Sequence, residues 1–246
     1  MKQKQILVVF GSKSDEDVFL PIVKKLKGKA LVDMRICSAH RSPELLNSIL
    51  TQKDYDLIIA GAGLAAHLPG VVASKTVAPI VGVPVASNFD GLDSFLAIVQ
   101  MPPGIPVLSV GPRFNPATDF LLKKYDSVKV IGDKKNKRVE KCVETLEEFD
   151  VEFDGKTLLL INFFDLKKGK PKDNAINVPL IEKETAKDSL TFLKKAKKGY
   201  FVGINRGENA AIFAASMINR MRLIDYRESM TKKVMDDDKE IAKKYD

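Results

Sequence analysis

Five apolar runs, each followed by a stretch of helical periodicity, constrain the fold of this chain more than any other feature. Continuous apolar runs without polar alternation are typical of parallel strands that are buried on both faces. Because strand and helix patterns alternate strictly, we predict an α/β fold with three layers, a parallel sheet with helices on both faces. The predicted strands cover residues 6–10, 30–36, 56–61, 79–85 and 105–110, and the predicted helices cover residues 15–26, 43–50, 68–76 and 92–100.

The second half of the chain repeats part of the first half at fixed spacings. Gly11 recurs 121 residues later as Gly132, and Val83 recurs 95 residues later as Val178. Because the spacing falls from 121 to 95 residues, about 26 residues are missing from the second copy. We interpret the chain as a tandem duplication with a degenerate second half.

The duplication divides the chain into two predicted domains, a catalytic domain at residues 1–126 and a shortened repeat with C-terminal helices at residues 127–246. The first copy has the sequence Ser-Ala-His-Arg at residues 38–41, and the second copy has no room for a counterpart between residues 153 and 157. No histidine follows His67. Residues 162–166 are expected to replace a Gly-rich loop of the first copy. The repeat is expected to contain strands at 128–131 and 157–161 and helices at 209–220 and 223–244. We therefore expect the second copy to be structural, or at most to supply edges to a site.

Charge and composition argue against several classes of function. The formal net charge is +8, but the lysines occur in pairs without interleaved aromatic residues, which is more typical of solvated helix faces than of a nucleic-acid surface. No apolar run approaches the roughly 20 residues of a membrane helix, and the first run is too short for a signal peptide. Cys37 and Cys142 are too few for a disulfide framework or a zinc site. We expect a cytoplasmic protein with no nucleic-acid partner, no membrane partner and no metal.

The first candidate site is the sequence GSKSD at residues 11–15, directly after the first strand. Ser12 and Ser14 are expected at a helix N-terminus, where backbone N–H groups and the helix dipole favour an anion. Asp15 could hydrogen-bond the hydroxyl groups of a sugar. An equally good interpretation is an N-cap at Ser14, with Asp17 completing a capping box.

The second candidate site is the sequence SAHRSP at residues 38–43, after the second strand. Arg41 offers a two-pronged guanidinium for a phosphate, and His40 can take and return a proton near neutral pH. A single histidine near a strand end is more often a structural residue. The neighbouring arginine and a second histidine loop favour a function here.

The third candidate site is the Gly-rich stretch GAGLAAHLPG at residues 61–70, after the third strand. Small residues there let backbone N–H groups approach a ligand, and His67 lies at the same predicted sheet edge as His40. The stretch also fits a dinucleotide-binding fingerprint. That fingerprint needs an acidic residue after the next strand, and residues 81–85 contain none. With no metal-ligand spacing and no Ser-His-Asp order, the chemistry is expected to depend on one proton carrier and a shaped pocket.

Together these motifs resemble the PurE family of purine biosynthesis. The resemblance covers nearly all of residues 6–111. The matching sequences are GSKSD, SAHRSP, AGAGLAAHLPGVVASKT, VGVPV, GLDSFLAIVQMPPGIPV and, after the repeat, NRGENAAIFAA. It implies a flavodoxin-like fold and an enzyme that moves the carboxylate of N5-carboxyaminoimidazole ribonucleotide (N5-CAIR) from nitrogen to carbon 4 of the imidazole, giving CAIR. Two alternatives stay open: direct carboxylation of aminoimidazole ribonucleotide (AIR) with CO2, and a non-catalytic nucleotide-binding relative.

The resemblance also implies roles for individual residues. His40 is the implied catalytic proton shuttle. The direct carboxylases typically have Lys after this histidine, so Arg41 favours the mutase, whereas Leu64 stands where Gly is more common. The implied substrate-binding residues are Ser12, Ser14, Asp15, Ser38 and Arg41 around the ribose and phosphate, and Gly61, Ala62, Gly63, Leu64, Ala66, His67 and Leu68 in a wall that confines CO2.

The resemblance implies a small-molecule ribonucleotide as substrate and no cofactor. The family is usually octameric, with active sites where subunits meet. A chain with two copies is therefore expected to be a homo-oligomer, either a tetramer of two-copy chains or an octamer.

Overall fold

The first half of the chain alternates strands and helices, as the apolar runs predict. The structure, a computed structural model, describes residues 3–86 and 88–245. The elements of the first half are β1 (Gln5–Phe10), α1 (Glu16–Leu26), β2 (Leu31–Ile36), α2 (Pro43–Gln52), β3 (Leu57–Ala62), α3 (His67–Lys75), β4 (Ile80–Pro84), α4 (Leu92–Val99), β5 (Leu108–Val110) and α5 (Thr118–Leu122). Short 3-10 turns at Lys13–Asp15 and Phe89–Gly91 precede α1 and α4.

The second half has fewer strands and ends in two helices. Its elements are β6 (Ser127–Ile131), α6 (Lys137–Glu148), β7 (Leu158–Asp165), β8 (Ala175–Leu180), α7 (Ala186–Lys195), β9 (Tyr200–Phe201), α8 (Gly207–Ile218) and α9 (Arg222–Tyr245). The expected strand at 157–161 is longer than predicted, because residues 162–165 continue it beside β8. These residues were expected to form the loop that replaces the Gly-rich stretch.

The nine strands found among the described residues form one sheet in the order β2-β1-β3-β4-β5-β9-β8-β7-β6. Pairing is parallel within each half, and the halves meet where β5 and β9 pair antiparallel, with Ser109 opposite Phe201. The predicted α/β class, a mostly parallel sheet between two helical layers, is confirmed. The strand β5 begins three residues later than predicted because three prolines, which lack a backbone donor, stand at positions 102, 103 and 106.

The second half has the strand order of the first half without a counterpart of β2. The order β6-β7-β8-β9 parallels β1-β3-β4-β5, so β6 is left at an edge of the sheet. The register pairs Phe10 with Gly61 in the first half and Ile131 with Asn162 in the second half. The Phe10 ring lies against Gly61, where an added Cβ would be 2.1 Å from Phe10 Cε1. These features accord with a duplication, which stays a prediction, as do its domain boundaries.

One apolar core runs across both halves on one side of the sheet. It contains the buried residues of α1, α5, α6 and α8, together with the strand residues that face them. The other side is covered by α2, α3 and α4 in the first half and by α7 in the second half. There the rings of Phe95 and Phe192 meet edge to face with centroids 4.9 Å apart. The halves therefore share their packing on both sides of the sheet.

Replacing Phe192 with Ala is expected to destabilise the whole chain by roughly 3–5 kcal/mol, because a large buried ring is removed. Denaturant unfolding, followed by circular dichroism, is expected to remain a single transition because the core is shared. Leu190→Ala on the same helix is the control, since Leu190 is 49% exposed. Hydrogen exchange showing that the two halves open separately would contradict a shared core.

Candidate active site

A cavity of about 590 Å³ opens at the carboxyl ends of the first three strands, where open α/β sheets bind ligands. The turns after β1, β2 and β3 form its walls, and the Gly11 N–H donates to the Gly61 carbonyl at 3.2 Å across the first and third of these strands. Of the predicted site residues, the structure places in this cavity Ser12, Ser14, Asp15, Ser38, His40, Arg41, Ala62, Gly63, Leu64, His67 and Leu68.

The turn after β1 is stabilised by its own serines. Ser12 Oγ accepts the Ser14 N–H at 3.2 Å, and the Ser14 hydroxyl lies 2.8 Å from the same oxygen. The 3-10 turn Lys13–Asp15 is thus capped by Ser12, and α1 begins with Asp15 as an N-cap that makes no side-chain cap bond. The alternative capping box at Ser14 and Asp17 therefore does not form.

Asp15 is the acidic residue among those that line the cavity. Burial raises the pKa of its carboxyl, and hydrogen bonds from Ser14 and from the Ser12 backbone offset part of this effect. The carboxyl group is held against the serine turn, with Ser14 Oγ donating to Asp15 Oδ1 at 3.2 Å. An acceptor in this place can receive hydroxyl donors of a bound sugar.

The turn after β2 is built on Ser38 and Ser42. The Ser42 hydroxyl accepts the Ser38 N–H and donates to the Ser38 carbonyl, both at 3.1 Å, and Ser38 Oγ accepts the Arg41 N–H at 3.3 Å. Arg41 Nη2 donates to the Gly11 carbonyl at 3.2 Å, which joins this turn to the one after β1. The guanidinium is exposed and retains donors for an anion.

The two histidines of the chain meet in the cavity. His40 Nε2 lies 2.9 Å from His67 Nδ1, and the two rings are perpendicular, at 89°. Since one nitrogen must donate and the other accept, the protonation of one ring sets the tautomer that the other can adopt. Both side chains are exposed to the cavity and the solvent. The pair can therefore move one proton at His40 while His67 holds that ring in place.

The Gly-rich turn contributes only part of the residues predicted from it. Gly61 lies under the Phe10 ring and Ala66 is buried, so neither lines the cavity. Leu64 adopts φ 52°, in the left-handed region that favours glycine, and is 59% exposed at the rim. The departure from Gly at this position thus leaves the turn intact at a cost in backbone strain.

Four lining residues were not predicted, namely Gly11, Ala39, Ala65 and Val85. Three of them lie inside the motifs GSKSD, SAHRSP and GAGLAAHLPG, which were already predicted as candidate sites from neighbouring residues. Val85 directly follows β4, and its place at the carboxyl end of a fourth adjacent strand could have indicated it.

The equivalent edge of the second half has a different chemistry. Its cavity of about 550 Å³ is lined by charged and amide side chains that include Arg138, Asp165 and Glu182. There is no histidine there, because none follows His67. The β7 positions in line with the Gly-rich turn carry Phe163 and Phe164, which are buried. The histidine pair belongs to the first half alone.

The fold and the site define an α/β protein with a mostly parallel sheet, helices on both faces of the sheet, and a histidine pair at the carboxyl ends of its strands. The sequence model of the AIR carboxylase family matches residues 5–118. N5-carboxyaminoimidazole ribonucleotide mutase of Methanocaldococcus jannaschii is 50% identical over 107 residues, which cover 43% of this chain and 68% of that protein. The chain belongs to the AIR carboxylase family, also called the PurE family, and the predictions of this family and of an enzyme are confirmed.

The chain is also similar to longer proteins that are named phosphoribosylaminoimidazole carboxylase. The chloroplastic phosphoribosylaminoimidazole carboxylase of Vigna aconitifolia is 44% identical over 149 residues, which cover 57% of this chain and 26% of that protein. Among solved structures, Treponema denticola PurE is 28% identical, with 43% of this chain and 70% of that chain covered and a TM-score of 0.40.

Within the described residues, none of the helices could span a membrane.

Replacing Asp15 with Asn is expected to raise the thermal stability at pH 7 and to leave it unchanged in acid. Because the native pKa of Asp15 is raised, its stabilising contribution is lost as the pH rises through that pKa, when the buried carboxyl must ionise. Asparagine keeps an oxygen acceptor and removes the charge. Thermal denaturation at pH 7 and at about pH 3.5, below the ordinary carboxyl pKa, measures the effect.

The control is Asp17→Asn, which changes an exposed carboxylate one helical position beyond Glu16. It is expected to shift the midpoint little at either pH. An equal gain from Asp15→Asn at both pH values would show that the charge of Asp15 is not the cause.

Proposed function

We propose that this enzyme converts N5-CAIR to CAIR in purine biosynthesis, with His40 as the proton carrier. The observation that supports this most is the His40–His67 contact of 2.9 Å inside a cavity whose other walls suit a ribonucleotide. The relatives at 44–50% identity that carry the mutase name support the same assignment.

The proton balance of the reaction needs one group that both gives and takes a proton. The imidazolium of His40 gives its proton to the substrate nitrogen as the N–C bond breaks, and the bonding electrons stay on nitrogen while CO2 leaves. Carbon 4 then attacks CO2, a C–C bond forms, and the proton from carbon 4 returns to His40. Substrate and product are isomers, so His40 ends in its starting state and no co-reactant is consumed.

The CO2 formed must stay in the site between the two steps. Ala62, Leu68 and Val85 give the cavity an apolar part beside the histidine pair. An apolar wall covered by the bound imidazole excludes the water that would hydrate CO2. His67, hydrogen-bonded to His40, fixes which nitrogen of His40 faces the substrate.

The ribose and phosphate are assigned to the turns after β1 and β2. Ser12, Ser14 and the free donors of Arg41 suit a phosphate, since a guanidinium and N–H groups at a helix start favour anions. Asp15 is assigned to the ribose hydroxyl groups, and Ser38 holds the Arg41 backbone. Gly61 and Ala66 act as packing residues behind the wall instead of touching the substrate.

The second candidate reaction is direct carboxylation of AIR with CO2. The relatives that are named phosphoribosylaminoimidazole carboxylase, at 38–44% identity, favour it. Arg41 after His40 favours the mutase, because the resemblance associates Lys with the direct carboxylases. The same cavity and the same proton acceptor would serve either reaction.

Replacing His40 with Asn is expected to lower turnover of N5-CAIR by at least about 100-fold, because a general acid and base contributes 10²–10⁴-fold. Nucleotide binding, measured by calorimetry with AIR, is expected to change little, since the ribose and phosphate contacts are on other residues. Purified wild-type enzyme is assayed on N5-CAIR and separately on AIR with bicarbonate.

Cys142→Ala, a change in the buried face of α6, is the control for effects on folding. Undiminished turnover in His40→Asn would remove His40 from the mechanism. Binding of AIR without turnover of either substrate by the wild type would favour the non-catalytic relative.

We also propose that the chain assembles as a homo-oligomer, a tetramer of two-copy chains. The support is the strand order of the second half, which follows that of the first half and would let one chain stand for two family subunits. Light scattering of the intact protein measures the number of chains. Eight chains, or a stable monomer, would contradict the tetramer.

A further inference from the structure

The C-terminal helix returns from the second half to the first half and is fastened there by Arg227. The Arg227 guanidinium donates to the Ala73 carbonyl, near the C-terminal end of α3, and to the Gly104 carbonyl at 3.3 Å. Arg220, just before this helix, donates to the Tyr55 carbonyl at 2.8 Å and pairs with Asp54. The last part of the chain thus contacts three places in the first half.

Arg227 is half-buried, and among the described residues no carboxylate lies within ion-pair distance of it. Burial lowers its pKa. Its charge faces the Ala73 carbonyl near the C-terminal end of α3, where the helix dipole is negative. Because a partly desolvated guanidinium is costly unless its N–H groups are bonded, these two carbonyl contacts are the interactions that hold it.

The loop before β5, which contains Pro102 and Gly104, contacts two helices of the second half, α8 and α9. Asn209 Oδ1 accepts the Gly104 N–H at 2.9 Å, and Asn209 Nδ2 donates to the Pro102 carbonyl at 2.9 Å. Gly104 has φ 87°, and a Cβ there would lie 2.5 Å from Met230 Cε. The loop also reaches α3, since a Cβ on Gly70 would be 3.4 Å from Met101 Sδ. Arg227 therefore binds α3 and also a loop that packs against α3.

The helix α3 begins with His67 and ends with Lys75. At 1.5 Å per residue its two ends are about 12 Å apart, short enough to move as one body. Its N-terminus has no side-chain cap, because Ala66 stands at the N-cap position. Leu68, Val72 and Ala73 pack α3 into the core, and Arg227 binds the helix near its C-terminal end.

We infer that Arg227 is a positioning residue, which keeps His67 within hydrogen-bond distance of His40 by fixing the C-terminal end of α3. This rests on the proposed role of His40. It also gives the second half a part in activity, although that half contributes no side chain to the cavity. A misplacement of about 1 Å at a reacting group can lower the rate by roughly 100-fold.

The test uses Arg227→Met, which removes the donors, and Arg227→Lys, which keeps the charge but loses the planar fork. Arg222→Met is the matched control on the same helix, because the exposed Arg222 pairs with Asp150 and not with α3. We expect Arg227→Met to lower kcat about 10- to 100-fold with KM within about threefold, since the proposed ribose and phosphate contacts lie on other turns. Arg227→Lys is expected to be intermediate.

A second readout is independent of turnover. The chain has two histidines, so ¹⁵N-histidine labelling gives the imidazole signals of His40 and His67 alone. Both imidazole signals are expected to shift in Arg227→Met, and the α3 amides are expected to exchange faster. None of these changes is expected in Arg222→Met.

Unchanged histidine signals and an unchanged kcat in Arg227→Met would overturn the inference, as would an equal loss in Arg222→Met. If Arg227→Met does not fold, Arg227→Lys decides, and wild-type kcat and histidine signals there would overturn it. If the wild type turns over neither N5-CAIR nor AIR, the proposed function fails. The histidine signals still test whether Arg227 positions His67.

Discussion

The antiparallel pairing of β5 with β9 is the contact on which the rest of the architecture depends. It consists of only two residue pairs, Ser109 with Phe201 and Val110 with Tyr200, yet it turns two parallel half-sheets into one sheet. Contacts of the side chains around these two pairs stabilise the junction between the halves. Tyr200 stacks on Phe120 with centroids 3.9 Å apart, and its hydroxyl accepts the Ala117 N–H at 2.7 Å. Gly111 is required there, because a Cβ would lie 1.5 Å from the Ala196 carbonyl oxygen.

The two halves that this pairing joins carry different residues at the carboxyl ends of their strands. The first half has the open Gly-rich turn and both histidines, whereas Phe163 and Phe164 fill the corresponding part of the second half. Because the halves are joined edge to edge, the chain after β9 can return across the first half. There Asn209 and Arg227 bind the loop before β5 and the end of α3. The half without histidines thus contacts the half that contains both of them.

The sequence predicts the local elements well and the contacts between distant elements poorly. Apolar runs identify the parallel strands of the first half because burial on both faces leaves a continuous pattern. The β5–β9 pairing leaves no such signal, since Tyr200 and Phe201 make a strand too short to show a period. The continuation of β7 to Asp165 was missed for another reason. Its pairing with β8 supplies backbone bonds that a comparison with the Gly-rich loop could not anticipate.

The candidate site shows the same limit at the scale of single residues. The motifs predict that His40, Arg41 and His67 lie at one edge, because the ends of adjacent parallel strands meet there, and all three line the same cavity. They could not show that Gly61 and Ala66 face the core, since that depends on Phe10 and the local turn. Arg227 gave no signal at all. It lies in a helix whose charged sequence is typical of a solvated surface, and only the tertiary structure shows that it is half-buried.

The proposed mechanism transfers the carboxylate through a confined CO2 beside the His40–His67 pair. The most direct test is the conversion of N5-CAIR labelled with ¹³C in its carboxylate, in a medium of unlabelled bicarbonate. We expect CAIR to carry nearly all of the label in the carboxylate attached to carbon 4, because CO2 does not leave the cavity before carbon 4 attacks it. Loss of the label to the medium at the rate of CAIR formation would contradict confinement and would support direct carboxylation instead.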